Sequence, residues 1–250
     1  MDDAGIRINK YFSEAGVCSR READRMVEQG RITIDGRIAK MGDRIFPGNQ
    51  VCLDNKTVIN QEESVLIAFN KPVGVVCTTA KQEKNNVVDF IGYHSRIYPV
   101  GRLDKDSQGL LLLTNQGDLV NKIMRAGNYH EKEYEVTVNQ PITEEFLQGM
   151  RSGVPLKELN VVTRPCKIRK LSQQKFVIIL TQGYNRQIRR MCEYFGYRVV
   201  TLKRTRIMNI RLDGIKEGTY RPVTEEELQQ LKQLLADSSS ETVKSKKRGK

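Results

Sequence analysis

The chain has 250 residues, with 42 Lys and Arg against 30 Asp and Glu, and its formal net charge is +12. This length allows one large or two ordinary domains, 38% hydrophobic residues suffice for a packed core, and the basic balance favours a polyanionic partner. No apolar run approaches the roughly 20 residues of a membrane span, and the acidic N-terminus lacks the pattern of a signal peptide. Five cysteines without a CxxC pair indicate reduced thiols. We therefore expect a cytoplasmic protein with no membrane partner.

The first 60 or so residues predict a small module of helices and short strands. Ile8 and Phe12 have helical spacing, and Ser19 with Glu22 has the pattern of a capping box that begins a second helix. Asp35-Gly36 is a hairpin signal between two short strands.

Basic residues gather on both helices of this module. Arginines in the opening turns of a helix are unfavourable, because the N-terminal end of the helix dipole is itself positive. Their position is explained if phosphate oxygens bind the free N–H groups there. A solvated face explains them equally well. We place Arg7 and Lys10 on the first helix, and Arg20, Arg21 and Arg25 in the opening turns of the second.

A second domain is predicted to begin after a polar link that ends near residue 63. Residues 65–69 have the composition of a strand, which leads into the sequence NKPVG at 70–74. Pro72 fixes one backbone angle and Gly74 permits a turn. Lys71 is thus held on a stiff bend, where a lone lysine is usually exposed.

The segment from Gly101 to Asn115 places a carboxylate at the edge of an apolar run. Asp104 directly follows Leu103 and precedes four leucines at 110–113, which predict a buried strand. A carboxylate in that position must be paired, solvated in a cleft or chemically active.

Three interpretations of this acidic segment compete. A calcium loop beginning at Asp104 fails, because its fifth and twelfth positions are Gln108 and Asn115. An ordinary turn and an active-site aspartate both remain open on the residues alone.

Downstream, a short helix is predicted at 119–125 and a strand at 133–138. Tyr134 shares a strand face with Val136 and Val138. A tyrosine in that position is most often part of the core.

The segment 183–196 predicts a helix with one apolar stripe, for which Asn185 is a candidate cap. At 100° per residue, Arg186 and Arg190 lie opposite the stripe, where they can reach a polyanionic partner. Arg189 lies on its flank, where a cation can keep a sheltered carboxylate ionised.

Residues 151–211 carry 15 basic and 2 acidic groups, which accounts for the whole positive excess. Such a segment is expected of a strip along a phosphate backbone. Thr224 with Glu227 predicts a capped helix. The basic tail, 237–250, is expected to be disordered, either as a loose phosphate-binding arm or as an inert solubilising segment.

Three motifs of this chain, in this order, resemble those of pseudouridine synthases of the RsuA-like branch, which act on ribosomal RNA. They are GRLDKDSQGL at 101–110, KEY at 132–134 and QIR at 187–189. The runs 105–109, 121–128 and 191–197 are similar to the RluF-type branch, which modifies a uridine of bacterial 23S rRNA, and residues 7–36 resemble the S4 RNA-binding domain.

The resemblance covers residues 7 to about 235 and implies an α+β fold. Its expected parts are an S4 domain (1–63) and a catalytic domain (64–236) built on a mixed, mainly antiparallel β-sheet flanked by helices. The family further implies that Asp104 is the catalytic aspartate, that Tyr134 stacks on the flipped uracil and that Arg189 pairs with Asp104. Its motifs and the basic residues together give the candidate RNA contacts Arg7, Lys10, Arg20, Arg21, Arg25, Lys71, Arg102, Leu103, Lys105, Asn185, Arg186, Gln187, Ile188, Arg190, Lys203 and Arg204.

The expected activity is isomerisation of uridine to pseudouridine in 23S rRNA, with tRNA as a further candidate substrate and a monomeric enzyme. No cofactor or metal is expected, because breaking and re-forming a glycosidic bond needs a carboxylate and a base pocket. A zinc deaminase is excluded, since His130-Glu131 and Cys166 lack the rest of its signature. The alternative is a non-catalytic S4-type RNA-binding protein that acts in ribosome assembly.

Overall fold

A computed structural model of the protein describes residues 5–59, 63–80 and 82–238. These residues divide into two compact units, one formed by residues up to 64 together with 94–96 and the other by the remainder. The predicted disordered tail lies, from residue 239 onward, outside the described residues. In the described part of the chain, no helix has the length and apolarity of a membrane span.

The described residues form short helices and strands. The helices are α1 (Ile8–Glu14), α2 (Arg20–Glu28), α3 (Val87–Ile91), α4 (Gly117–Met124), α5 (Glu144–Ser152), α6 (Gln187–Tyr194) and α7 (Glu225–Leu234). The strands are β1 (Ile6–Arg7), β2 (Ile32–Ile34), β3 (Arg37–Ile38), β4 (Arg44–Ile45), β5 (Val51–Leu53), β6 (Lys56–Thr57), β7 (Leu66–Lys71), β8 (Tyr98–Pro99), β9 (Gln108–Thr114), β10 (Lys132–Val138), β11 (Pro155–Leu156), β12 (Val161–Val162), β13 (Lys167–Ser172), β14 (Lys175–Leu180), β15 (Val199–Ile207), β16 (Ile210–Arg211) and β17 (Tyr220–Pro222).

The smaller unit packs α1 and α2 with short antiparallel strands. The Ser19 hydroxyl accepts a hydrogen bond from the backbone N–H of Glu22 at 3.1 Å, so the predicted start of α2 is confirmed. Ile8 and Phe12 are buried in its core. Arg7 was expected on the first helix, but α1 begins one residue later and Arg7 lies on β1.

The larger unit is built on a nine-stranded sheet. Its central path runs β13-β14-β10-β15-β9-β7-β17, with β16 beside β15 and β8 beside β9. Strands β9 and β15 are parallel, and the other pairs of this sheet are antiparallel. The predicted mixed, mainly antiparallel sheet is confirmed.

The four leucines at 110–113 make β9 a central strand, since all four are fully buried. Leu111 and Leu113 face a core that includes residues of α5 and α6, while Leu110 and Leu112 face a second core that includes residues of α4 and α7. Burial of each leucine is worth about 2 kcal/mol. The sheet is therefore covered by helices on both faces, and the segment that precedes β9 is firmly anchored.

Gly109 permits close contact between β9 and β15. Its φ is +102°, and a Cβ atom there would lie 2.4 Å from the backbone oxygen of Arg204. Only glycine allows this approach. It brings the aspartate loop that precedes β9 next to β15.

Candidate active site

Asp104 lies in a braced loop between β8 and β9. The backbone N–H of Ser107 donates to the carbonyl of Asp104 at 3.1 Å, which closes a turn. The carbonyl of Lys105 accepts from Gly74 at 2.8 Å, and the N–H of Leu103 donates to the Cys77 sulfur at 3.3 Å. The turn and the active-site interpretations of this segment are thus compatible, because the turn is what presents the Asp104 side chain.

Lys71 supports this loop from below and was wrongly expected to be exposed. Its side chain is fully buried, and its ammonium donates to the carbonyls of Pro72 and Val75 at 2.8 Å each. Burial lowers its pKa. Because these bonds hold the turn whose Gly74 N–H contacts the aspartate loop, Lys71 positions that loop. It is not in the wall of the cavity described below, and its contact with RNA stays a prediction.

Arg186 is the cation beside Asp104. Its Nη1 lies 3.9 Å from Oδ2 of Asp104, and its guanidinium donates to both carboxylate oxygens of Asp106 at 3.3 Å. These bonds to Asp106 raise the pKa of Arg186. The Asp104 side chain itself remains one-third exposed at 33%.

Arg189 binds a different carboxylate from the one expected. Its Nη2 donates to the backbone carbonyl of Asp106 at 2.9 Å and to the Ser107 hydroxyl at 3.3 Å, and it lies 3.3 Å from Oδ1 of Asp106. Among the described residues its ion-pair partner is therefore Asp106, and the expected pair with Asp104 is wrong. Its predicted inward orientation is confirmed, since Arg189 is 7% exposed.

The conformation at the start of α6 explains why Arg186, and not Arg189, lies beside Asp104. The helix begins at Gln187, and Arg186 precedes it in the left-handed conformation with φ of +51°. The predicted cap Asn185 is therefore wrong. A non-glycine residue in this conformation is strained, as is common at functional sites. Arg186 consequently lies off the helical periodicity, with its guanidinium turned to the aspartate loop.

The basic segment 151–211 does not form one continuous strip. Arg190, expected to face RNA, pairs with Glu158. Arg206 pairs with Glu131 at 3.0 Å, and Arg204 is buried with 1% exposure. Counting charges along the sequence could not predict this, because it does not show which acids the fold brings to these arginines.

A cavity of about 410 Å³ opens beside Asp104. Tyr134, 9% exposed, belongs to its wall. The structure therefore brings Asp104, Tyr134 and Arg189 together at one site. Of the candidate RNA contacts, those in the wall are Arg102, Leu103, Lys105, Asn185, Arg186, Gln187, Ile188 and Arg204.

Other candidates lie elsewhere in the described structure. Arg190 and Lys203 are not in the cavity wall, and the smaller unit carries its candidates separately. There Arg7, Arg20, Arg21 and Arg25 are exposed, while Lys10 pairs with Glu14 at 3.6 Å.

Sequence analysis missed several groups of the cavity wall. Lys132 was available from the pattern, because it shares the buried face of β10 with Tyr134. Gln182, whose buried side-chain nitrogen has no hydrogen-bond partner in the described part of the chain, had no signal in the sequence. Cys77 and Met124 come from distant segments and could not be placed without the fold.

Lys132 is an unusual component of this wall. It is 4% exposed, and its ammonium donates to the carbonyl of His130 at 3.1 Å. Burial and the charge of Arg204 lower its pKa to about 8. The amine can therefore change charge near physiological pH.

The sheet, the aspartate loop and the cavity together present an exposed carboxylate in the manner of an enzyme. Comparison with known proteins identifies the family. Residues 65–194 match the RNA pseudouridylate synthase family, and residues 6–51 match the S4 domain. The chain belongs to the RNA pseudouridylate synthase family and carries an S4 domain. It is an RNA-modifying enzyme, and the resemblance of its motifs to this family is confirmed.

Individual relatives agree with this assignment. The chain is 55% identical to the dual-specificity RNA pseudouridine synthase RluF of Escherichia coli, over 100% of this chain and 86% of that protein. It is 34% identical to the ribosomal large subunit pseudouridine synthase B of Bacillus subtilis, over 91% of this chain and 96% of that protein. A crystal structure of a pseudouridylate synthase superposes with a TM-score of 0.67 at 29% identity, covering 91% of this chain and 100% of that chain.

Proposed function

We propose that this enzyme converts a specific uridine of bacterial 23S rRNA to pseudouridine, and that a tRNA uridine is a second substrate. The observation that carries the proposal is the open carboxylate of Asp104 at a cavity whose wall contains the buried ring of Tyr134. Likeness to a ribosomal large subunit enzyme supports the first substrate, and likeness to a dual-specificity enzyme supports a second.

The target uridine leaves its stack and enters the cavity, where Tyr134 holds the base by stacking. Asp104 acts at the ribose, the bond from N1 to C1′ breaks, and the base turns so that C5 joins C1′. Arg186 places positive charge beside Asp104, and Arg189 holds the loop that carries it. No step needs an external energy source.

RNA outside the cavity is held by the S4 domain, for which we propose the bounds 1–63, and by Arg102, Lys105 and Arg186 at the cavity. A single chain supplies Asp104, Tyr134 and Arg189, which supports a monomeric enzyme. Ribosomal RNA as substrate supports a location in the bacterial cytoplasm.

The proposal is tested by mapping pseudouridine in rRNA and tRNA from cells with and without the gene for this chain. One or more sites should disappear on deletion and return when the gene is restored. Identical maps would refute the proposed substrates and leave the chain as a binding protein of ribosome assembly.

Asp104→Asn is the matching test of the site. We expect the variant to lose isomerisation while its RNA affinity stays within a few fold, because phosphate contacts supply most of the binding. Asp213→Asn is the control, since Asp213 pairs with Arg211 on the surface and is not in the cavity wall. Turnover by Asp104→Asn at the rate of the control would refute the assignment of Asp104.

A further inference from the structure

The cavity wall carries far more positive than negative charge. In the described part of the chain it contains one carboxylate, that of Asp104, and six cationic side chains. These are Arg102, Lys105, Lys132, Arg186, Arg189 and Arg204. Arg186 and Arg189 are compensated by Asp106. Lys132 and Arg204 form no ion pair with a described carboxylate, so two buried cations at this cavity lack a counter-charge.

Both cations are neighbours of Tyr134 in the sheet, and a β-bulge accounts for the position of Arg204. Lys132 and Tyr134 are two residues apart on β10 and share its buried face. The register with β15 shifts between Glu133 and Tyr134, so that Tyr134 lies opposite Arg204, where uninterrupted pairing would place Thr205. Directly opposed residues have Cβ atoms about 5 Å apart. Bulges beside active sites commonly redirect a side chain in this way.

Burial makes both cations costly in the free protein. Arg204 is 1% exposed, and its Nε donates to the carbonyl of Leu110 at 2.7 Å, but its Nη2 has no hydrogen-bond partner among the residues that the structure describes. Among the described residues, the Lys132 ammonium donates only to the carbonyl of His130, at 3.1 Å. Since buried charges are normally paired, the arrangement is typical of a site that receives negative charge from its substrate.

The reaction creates such a charge at the base. When the C1′–N1 bond breaks, its electron pair stays on the uracil, and the negative charge spreads over N1 and the two carbonyl oxygens. When C5 then bonds to C1′, this electron pair forms the new bond, the C5 proton is lost, and a proton is gained at N1. A base stacked on Tyr134 carries its charge next to Lys132 and Arg204.

We propose that Lys132 and Arg204 stabilise the uracil anion that forms between cleavage and re-formation of the glycosidic bond. This inference rests on the proposed function. Preorganised cations that are themselves buried stabilise developing charge strongly, because they need no reorganisation during the reaction. The bulge in β15 is then a catalytic feature, since it brings Arg204 to the base.

The test compares Lys132→Met with Lys132→Arg in the full-length protein, in single turnover at saturating RNA. We expect Lys132→Met to slow glycosidic cleavage by about 100-fold, as for loss of one oxyanion donor, with RNA affinity within a few fold of wild type. Lys132→Arg keeps the charge and should recover most of the rate. Lys232→Met on α7, outside the cavity wall, controls for the loss of one positive charge.

RNA with 5-fluorouridine at the target site makes the test specific to the leaving base. Fluorine withdraws electrons and stabilises the uracil anion by itself, so the deficit of Lys132→Met in cleavage should shrink with this RNA. A structural role of Lys132 would give the same deficit with both RNAs. If Lys132→Met does not fold, Lys132→Gln serves in its place.

Two results would overturn the inference. If Lys132→Met slowed cleavage equally with uridine and with 5-fluorouridine, Lys132 would not act on the charge of the leaving base. An unchanged cleavage rate with weaker binding and a smaller salt slope would assign Lys132 to a phosphate group. If wild type forms no pseudouridine in any RNA, the proposed function itself fails, which distinguishes the two failures.

Discussion

Replacing Lys132 by Met should stabilise the fold at neutral pH, although it impairs the reaction. The pKa of Lys132 falls from 10.5 to about 8 on folding, chiefly because the ammonium is buried. A shift of about 2.5 pKa units corresponds to roughly 3 kcal/mol of folding free energy. Loss of the hydrogen bond to His130 costs about 1 kcal/mol. The net gain is therefore about 2 kcal/mol at pH 7.

The pH dependence has a definite sign. Below about pH 8 Lys132 is charged in both the folded and the unfolded chain, so the penalty is complete. Between about pH 8 and 10.5 the folded protein loses this proton while the unfolded chain keeps it, and the penalty declines. Wild type should thus gain stability over this range relative to Lys132→Met, and the advantage of the variant should disappear near its upper limit.

Urea unfolding of wild type and Lys132→Met, followed by circular dichroism at pH 7 and pH 10, measures this effect. With a slope of roughly 2 kcal/mol per molar urea, the midpoint of the variant should be about 1 M higher at pH 7. At pH 10 the two midpoints should nearly coincide. The reasoning would be refuted if the variant were less stable than wild type at pH 7. It would also be refuted if the midpoint difference were the same at both pH values, because the burial penalty of the Lys132 ammonium must decline as pH rises.

Three further variants and one labelling experiment test other parts of the structure. Gly109→Ala should destabilise the protein by about 2 kcal/mol or more in urea unfolding, since its Cβ would lie 2.4 Å from a backbone oxygen of β15 and its φ is positive. Arg189→Ala should lower both stability and the single-turnover rate, because it removes the contacts to Asp106, whereas Arg190→Ala loses an exposed ion pair and should change stability by less than about 1 kcal/mol. Burial raises the pKa of Cys192 to about 12, so this thiol should resist iodoacetamide at pH 8 until urea unfolds the chain, as mass spectrometry of the labelled peptide would report.

The sequence predicted those features that depend on neighbours along the chain. The run Leu110–Leu113 predicted β9, and Ser19 predicted the start of α2. Alternation along β10 predicted that Tyr134 lies on its buried face. Each follows from local periodicity or from a cap within a few residues.

The sequence could not predict several features that depend on how the backbone turns or on partners elsewhere in the fold. Lys71 is buried because the carbonyls of its own turn replace water, which its position on a stiff bend does not reveal. Arg189 pairs with Asp106, and Arg186 precedes α6 in the left-handed conformation, neither of which helical spacing reveals. The bulge that brings Arg204 opposite Tyr134 interrupts a pattern that pairing rules alone would continue.

The aspartate loop is held in place at two points, and this determines whether the enzyme or the RNA changes conformation on binding. Gly74 holds the loop from one side and Arg189 from the other, while β9 anchors its exit in the core. A loop fixed before binding loses little conformational entropy when substrate arrives. Deformation therefore falls on the nucleic acid, and uridines in loosely stacked or unpaired RNA are the ones that this rigid receptor can capture most readily.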